Sequence, residues 1–426
     1  MKEVLIPFGK SKLKITLKNQ IVDVIDTDKN RNIKLTDEET IKIVDSFTRS
    51  LSLKDKNDVA IAIPDISRPK IPETIFCRLL ENLLKSFDGL IKIFVGTGLH
   101  NFSISDKELL IPKNYANNKR IKVYFHDAKR GNNVFLGKTK RNTPIYIEKE
   151  YYLSDLKMSI GVVEPHQFAG FSGGAKGVAI GLASDETISK NHKLITDPRS
   201  RMGVIANNPL REDIEEAGLM IKIDYLINIV MNTNNEPMQI FCGDNPDSFN
   251  EAVNYIKKLS GYPVKRKYDL AITSPGGFPR DIDLYQAQKA LTPALSFCKH
   301  GGSILLVSEC SRGFGETSYI DLIKKYKTAE KIINNFDTEN FVVGPHKALL
   351  FAKAALNHNL YLFSSNIELL SELKSTFLTP VNDLQTFLNR IPTNTSVCIL
   401  PRAVQVLPVE SENNIWFSRL KISFWI

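Results

Sequence analysis

Four short apolar runs constrain the fold more than any other feature of the chain: DVAIAIP (residues 58–64), LIKIFVGTG (90–98), IKVYFHD (121–127) and MSIGVVEPH (158–166). Each is too short for a buried helix and gives way to polar residues, and helical patterns stand between several of them. That alternation is the signature of an α/β sheet buried on both faces. The loops at the exits of such strands are the usual ligand edge, and here they deliver Asp65 and Arg68, then Gly98 and His100, then His126 and Asp127, then His166. A hairpin is expected at the start, around the Gly-Lys-Ser turn. Thr36 with Glu39 forms a capping box ahead of an amphipathic helix, Pro72 opens another through Phe87, and Ser105 with Glu108 caps a third.

With 426 residues the chain exceeds one ordinary core, and two α/β domains are expected. The first spans residues 1–262. The second, 266–426, follows the basic turn GYPVKRKYD and resembles a small doubly wound sheet, with the active site in the cleft between the two. Its expected elements are LAITS, a helix from Asp283 to about Lys299, GSILLVSE, one helical stretch from about Asp321 to Asn335, YLFS and SVCIL.

No apolar run is long enough to span a membrane, and the first residues lack a signal peptide's apolar core, so a cytoplasmic location is expected. The five cysteines are scattered without C-x-x-C spacing, which argues against a disulfide framework and a cysteine zinc site. The net charge of +9 comes from dispersed lysines rather than an arginine-rich segment. It therefore points to anionic small ligands rather than nucleic acid.

Residues 164–192, EPHQFAGFSGGAKGVAIGLASDETISKNH, concentrate that chemistry. His166, Lys176 and His192 are carried on a backbone rich in glycine, including Gly173 and Gly174, whose N–H groups can approach an anion closely. A P-loop is excluded, because Ala175 and Gly177 flank the lysine where that motif requires Gly and a hydroxyl. Lys176 remains either a point charge for phosphate, a desolvated nucleophile, or a solvated lysine on a tight turn. In the second half, Gln286 and Lys289 lie three residues apart after a Gly-Gly strand exit, a pairing suited to a carboxylate or to an ordinary polar helix surface. Neither metal-protease spacing nor a cluster of carboxylates accompanies the histidines, so any metal must take most of its ligands from something other than protein.

DISRP (65–69), GTGLH (96–100), EPHQFAGFSGGAKG (164–177), His192, NNPLREDIEEA (207–217) and GGFPRDIDLYQAQKA (276–290) together resemble the nickel-dependent lactate racemase family. The resemblance implies a nickel-pincer nucleotide, a pyridinium-3,5-bisthiocarboxylate mononucleotide carrying nickel, attached through a thioamide to Lys176 and supplied by cofactor-biosynthesis proteins. It implies His192 as the protein ligand to nickel and His100 and His166 as the acid/base pair. Arg68, Gln286 and Lys289 would bind substrate or cofactor, with Asp65, Gly173 and Gly174 around the cofactor. The implied substrate is a small 2-hydroxycarboxylate. Its C2 hydrogen is a poor acid beside a carboxylate, so departure as hydride to an electron-poor pyridinium is the easier route.

Against the family pattern, Asn101 stands where a basic residue is common. The only tryptophans, Trp416 and Trp425, are in the apolar tail, leaving GPHKA with His346 for the region of the family's pocket indole. An oxidoreductase releasing the keto acid and a non-catalytic anion-binding protein are the rival readings.

Overall fold

The computed structural model describes residues 2–27, 33–99, 110–337 and 341–410. His100, the expected cap at Ser105 and Glu108, and the apolar tail with both tryptophans lie outside these residues. Two six-stranded sheets organise the molecule in a two-domain α/β fold.

In the first sheet the spatial order is Pro237–Asp244, Tyr225–Met231, Leu156–Val162, Asp58–Pro64, Leu90–Gly96, Ile121–Phe125. All neighbours are parallel except the first pair, which is antiparallel. Asp58–Pro64 and Leu90–Gly96 are buried through all five central residues, the reason they read as continuous apolar runs. Ile61 and Ile63 pack on one face under the helices Asp37–Ser50 and Glu73–Ser86, while Ala60 and Ala62 face the other layer. The capping box of Thr36 and Glu39 is present at the first of these helices, which closes two otherwise unpaired N–H groups.

The chain runs outward from Asp58–Pro64 in one direction to Ile121–Phe125 and in the other through Leu156–Val162. The order therefore reverses between these two central strands, and their carboxyl ends open the crevice in which ligands of such sheets bind. Asp65 to Arg68 leave one lip and Glu164 to His166 the other.

The second sheet is wholly parallel, in the order Leu378–Val381, Asn359–Phe363, Cys298–Val307, Tyr268–Thr273, Val397–Leu400, Val22–Val24. Its edge strand comes from the start of the chain. The antiparallel hairpin of Lys2–Phe8 and Ser11–Leu17 also packs here, with Ile6, Ile15 and Leu17 against Ile272 and Ile399. The opening residues, expected in the first unit, thus sit with the second sheet. A three-residue strand has no periodicity of its own, and its partner lies at the far end of the sequence.

Two expected helices are broken. Residues 284–297 form Leu284–Ala287, a 3-10 turn Gln288–Ala290, and Leu291–Phe297. Pro293 has no N–H to offer the Lys289 carbonyl, which removes the bond that would have continued an α-helix. The stretch expected over 321–335 is two helices, Ser318–Tyr326 and Ala329–Asn335, separated by Lys327 at φ 62° and restarted by the Thr328 cap.

Candidate functional site

The glycine-rich turn begins where Leu156–Val162 ends. Gly173 and Gly174 have φ of +80° and +62°, and a Cβ on Gly174 would stand 2.5 Å from Arg211 and 2.8 Å from the Phe249 ring. Only glycine fits both the backbone and the space. Arg211, fully buried, donates to the Gly173 carbonyl (3.3 Å) and the Phe171 carbonyl (3.3 Å), lies over Phe249 and pairs with Glu215. The Asn228 side chain accepts the Gly174 N–H (3.0 Å). The turn is therefore held rigidly from behind. Within NNPLREDIEEA nothing sets Arg211 apart. Its pairing with a glutamate four residues on looks in sequence like an exposed helix pair, and only packing shows the burial.

Lys176 starts the short helix Lys176–Ala179. Its Nζ lies 3.4 Å from His166 Nε2. Burial, with Arg68 and Arg211 nearby, pushes its ammonium down to about 7, so a large part is neutral, nucleophilic amine at physiological pH. An amine-selective acylating reagent should therefore modify cofactor-free Lys176 with a midpoint near pH 7, rather than near the ~10.4 of an ordinary lysine. Peptide mass spectrometry across roughly pH 5–10 reads this, and a midpoint above about 9 would contradict it.

His166 Nδ1 accepts the N–H groups of Phe168 (3.3 Å) and Ala169 (3.1 Å), so its neutral ring carries the proton on Nε2, toward Lys176. Burial first, then the charges of Lys176, Lys289, Arg68 and His192, hold it well below the ordinary imidazole value. His192, on the helix Asp185–Lys193, is thus close enough to act on His166, and it acts on His346 as well. That helix is fixed by Asp213, which accepts from Asn191 (2.8 Å) and Thr139 (2.5 Å).

Across the cleft, Gln286 Oε1 accepts from Lys289 Nζ (2.6 Å) and from Arg68 Nη1 (3.1 Å). One amide oxygen thus joins a cation from each half. Burial drives the Lys289 ammonium well below its usual range, and Arg68, Lys347 and Lys176 add to this. Asp65 acts on its own loop, where its carboxylate accepts from the Ser67 N–H (3.0 Å) and hydroxyl (2.6 Å) and shapes the turn that presents Arg68. Glu164, two residues before His166, pairs with Arg280 and accepts from Gln405 (3.3 Å), fastening this lip to the opposite half. His126, by contrast, is tied to Glu148 (3.1 Å) and the Ala183 carbonyl (2.9 Å), away from the cluster.

Arg68, His166, Lys176, His192, Gln286 and Lys289 thus converge, over the turn of Gly173 and Gly174. Among the described residues no group of three or more His, Cys, Asp or Glu is arranged to hold a metal ion. The cluster is a basic, largely buried cleft suited to an anion.

Residues 8–203 match the profile of the lactate racemase N-terminal domain, and residues 264–407 that of the lactate racemase C-terminal domain. The lactate racemase of Thermoanaerobacterium thermosaccharolyticum is 27% identical over 429 residues, covering 96% of this chain and 99% of the relative. That of Lactiplantibacillus plantarum is 30% identical over 350 residues, covering 79% and 81%. The structure of the lactate racemase apoprotein from T. thermosaccharolyticum superposes with a TM-score of 0.84 at 24% identity, over 96% of this chain and all of that one. A crystal structure of a Thermotoga maritima protein superposes with a TM-score of 0.71 at 17% identity, over 89% of this chain and all of that one. The matches cover both halves in order, and the chain belongs to the lactate racemase family.

Proposed function

We propose that the protein racemises a small 2-hydroxycarboxylate of the lactate type with a nickel-pincer nucleotide attached to Lys176. The observation that carries this reading is the buried Lys176 amine, 3.4 Å from His166 Nε2, in a cleft whose far wall is Lys289, Gln286 and Arg68.

The residues fit such a group. An amine pushed down to about 7 is ready for acyl attachment. The tight turn at Gly173 and Gly174, packed against Val163, Arg211 and Phe249, fixes the backbone that presents Lys176. The donor set near Lys176 offers imidazole rather than a cage, so His192 would be the protein's single ligand to a metal otherwise held by the cofactor's own carbon and sulfur. When bound, the group supplies an acceptor for the C2 hydrogen and its electron pair. Lys289 and Arg68 would hold the substrate carboxylate, with Gln286 fixing both cations in place. His166 would donate from Nε2 to the substrate hydroxyl oxygen in this tautomer, and would take the hydroxyl proton there only once its own proton has moved to Nδ1, with His100 as its counterpart on the other face.

Protein produced alongside the cofactor-biosynthesis proteins should convert either lactate enantiomer toward an equal mixture on chiral chromatography. It should carry about one nickel per chain and a mass adduct on Lys176. Accumulation of pyruvate in place of the opposite enantiomer would overturn the racemase reading, as would a loaded enzyme that interconverts no 2-hydroxy acid.

A further inference from the structure

Racemisation of lactate gives no role to Lys347, a buried lysine whose charge acts on Lys289. In the first turn of the helix His346–Ala355, it is 2% exposed. Its Nζ donates to Gln288 Oε1 (2.8 Å) and lies 4.9 Å from the centre of the Tyr285 ring. Gln288 adjoins Lys289, whose Nζ bonds to Gln286, so two lysine head groups are drawn to the single turn 286–289. Both of these hydrogen-bond partners are neutral amides.

Burying an ammonium is costly without a counter-charge, and neither amide supplies one. Arg68 and Lys347 both act on Lys289, and the acidic residue that acts on the two lysines is Asp283. Asp283 is thus shared by two lysines, and one substrate carboxylate between Lys289 and Arg68 still leaves more cations than anions around this turn. Burial pushes Lys347 down to about 7, so an arriving anion would draw a proton onto it and complete an ion pair.

We propose that the substrate bears a second carboxylate, held by Lys347 beside Tyr285, and that the preferred substrate class is therefore the 2-hydroxydicarboxylates rather than lactate itself. This rests on the racemase reading and sharpens it.

The test compares lactate with 2-hydroxybutanedioate and 2-hydroxypentanedioate on the loaded holoenzyme, by chiral chromatography. The kcat/KM for at least one dicarboxylate should exceed that for lactate by roughly 10-fold or more. Lys347→Gln should lower the dicarboxylate-to-lactate ratio by about 10-fold or more, while Lys347→Arg retains most of it. Independently of turnover, the dicarboxylate should raise the Tm of the wild-type protein more than lactate does at equal concentration. A wild-type preference for lactate overturns the proposal. So does an unchanged ratio in Lys347→Gln, or an equal loss for all substrates together with loss of the Lys176 adduct, which would assign Lys347 to the cofactor. Lactate interconverted without any dicarboxylate sinks this inference alone; no 2-hydroxy acid interconverted by loaded enzyme sinks the racemase reading beneath it.

Discussion

Lys176→Ala is expected to carry no adduct, retain little nickel, and racemise at least ~10³-fold more slowly than the wild type. The expectation follows from what surrounds the amine. It is buried, pushed down to about 7, and faces an imidazole rather than a carboxylate. A lysine kept for stability would be paired, whereas this one carries a desolvation cost that covalent attachment would remove. The alanine variant should therefore fold with an undiminished Tm, separating loss of chemistry from loss of structure. Lys176→Arg sharpens the test, because it keeps a positive charge and cannot form the amide-type link. Activity surviving in the arginine variant would make residue 176 a point charge and defeat the anchor.

For His166→Gln we expect turnover to fall by roughly 10²-fold or more, with a smaller change in KM. Glutamine is chosen because its amide still offers a donor near the position of Nε2. In the cofactor-free chain, two backbone N–H groups on Nδ1 set His166 as a donor at Nε2. If hydrogen bonding alone were its contribution, glutamine would preserve most of the rate. Proton exchange at Nε2 requires the ring to shift its proton, and glutamine cannot do so. The pH profile provides a second check. The folded imidazole lies well below the ordinary value, so its neutral form persists as pH falls through ~6.5 and is lost only in more acidic solution. The acid limb of kcat assigned to His166 should therefore lie below pH ~6.5 and vanish in the variant. An acid limb at or above that value, or one unaltered by the substitution, would remove this role.

Where strands are buried on both faces, sequence and structure agree closely: Asp58–Pro64 matches the expected strand at both ends, since uninterrupted burial leaves an uninterrupted apolar run. Capping residues are equally legible, because Thr36 and Glu39 act within one turn of chain. The grouping of Arg68, His166, Lys176 and Lys289 can be anticipated from motifs in loops. The amide oxygen that joins Arg68 to Lys289 cannot, because it is a contact between halves 218 residues apart. Lys347 is hidden for another reason. Within the helix His346–Ala355 it reads as an ordinary surface lysine, and its burial depends on Gln288 and Tyr285 meeting it from a different segment. Helix interruptions stay concealed where the cause is one residue, Pro293 or left-handed Lys327, inside an otherwise helical pattern.

The placement of Val22–Val24 at the edge of the second sheet bears on how the protein is born. Its neighbour on that edge is Val397–Leu400, and the nearby ion pair of Asp26 with Arg402 (2.7 Å) joins residues 376 positions apart. At ribosomal speeds of about 5–20 residues per second, the opening segment must wait on the order of 20–75 s before its partner emerges. The apolar face of the hairpin, with Ile6, Ile15 and Leu17, stays uncovered until Leu270 and Ile272 emerge, and its packing is completed only with Val397 and Ile399. The first sheet draws all its strands from residues 58–244 and is free of this delay. Nascent chains should therefore mature from the middle outward, and the amino-terminal hairpin is where a trigger-type chaperone would find its longest-lived foothold.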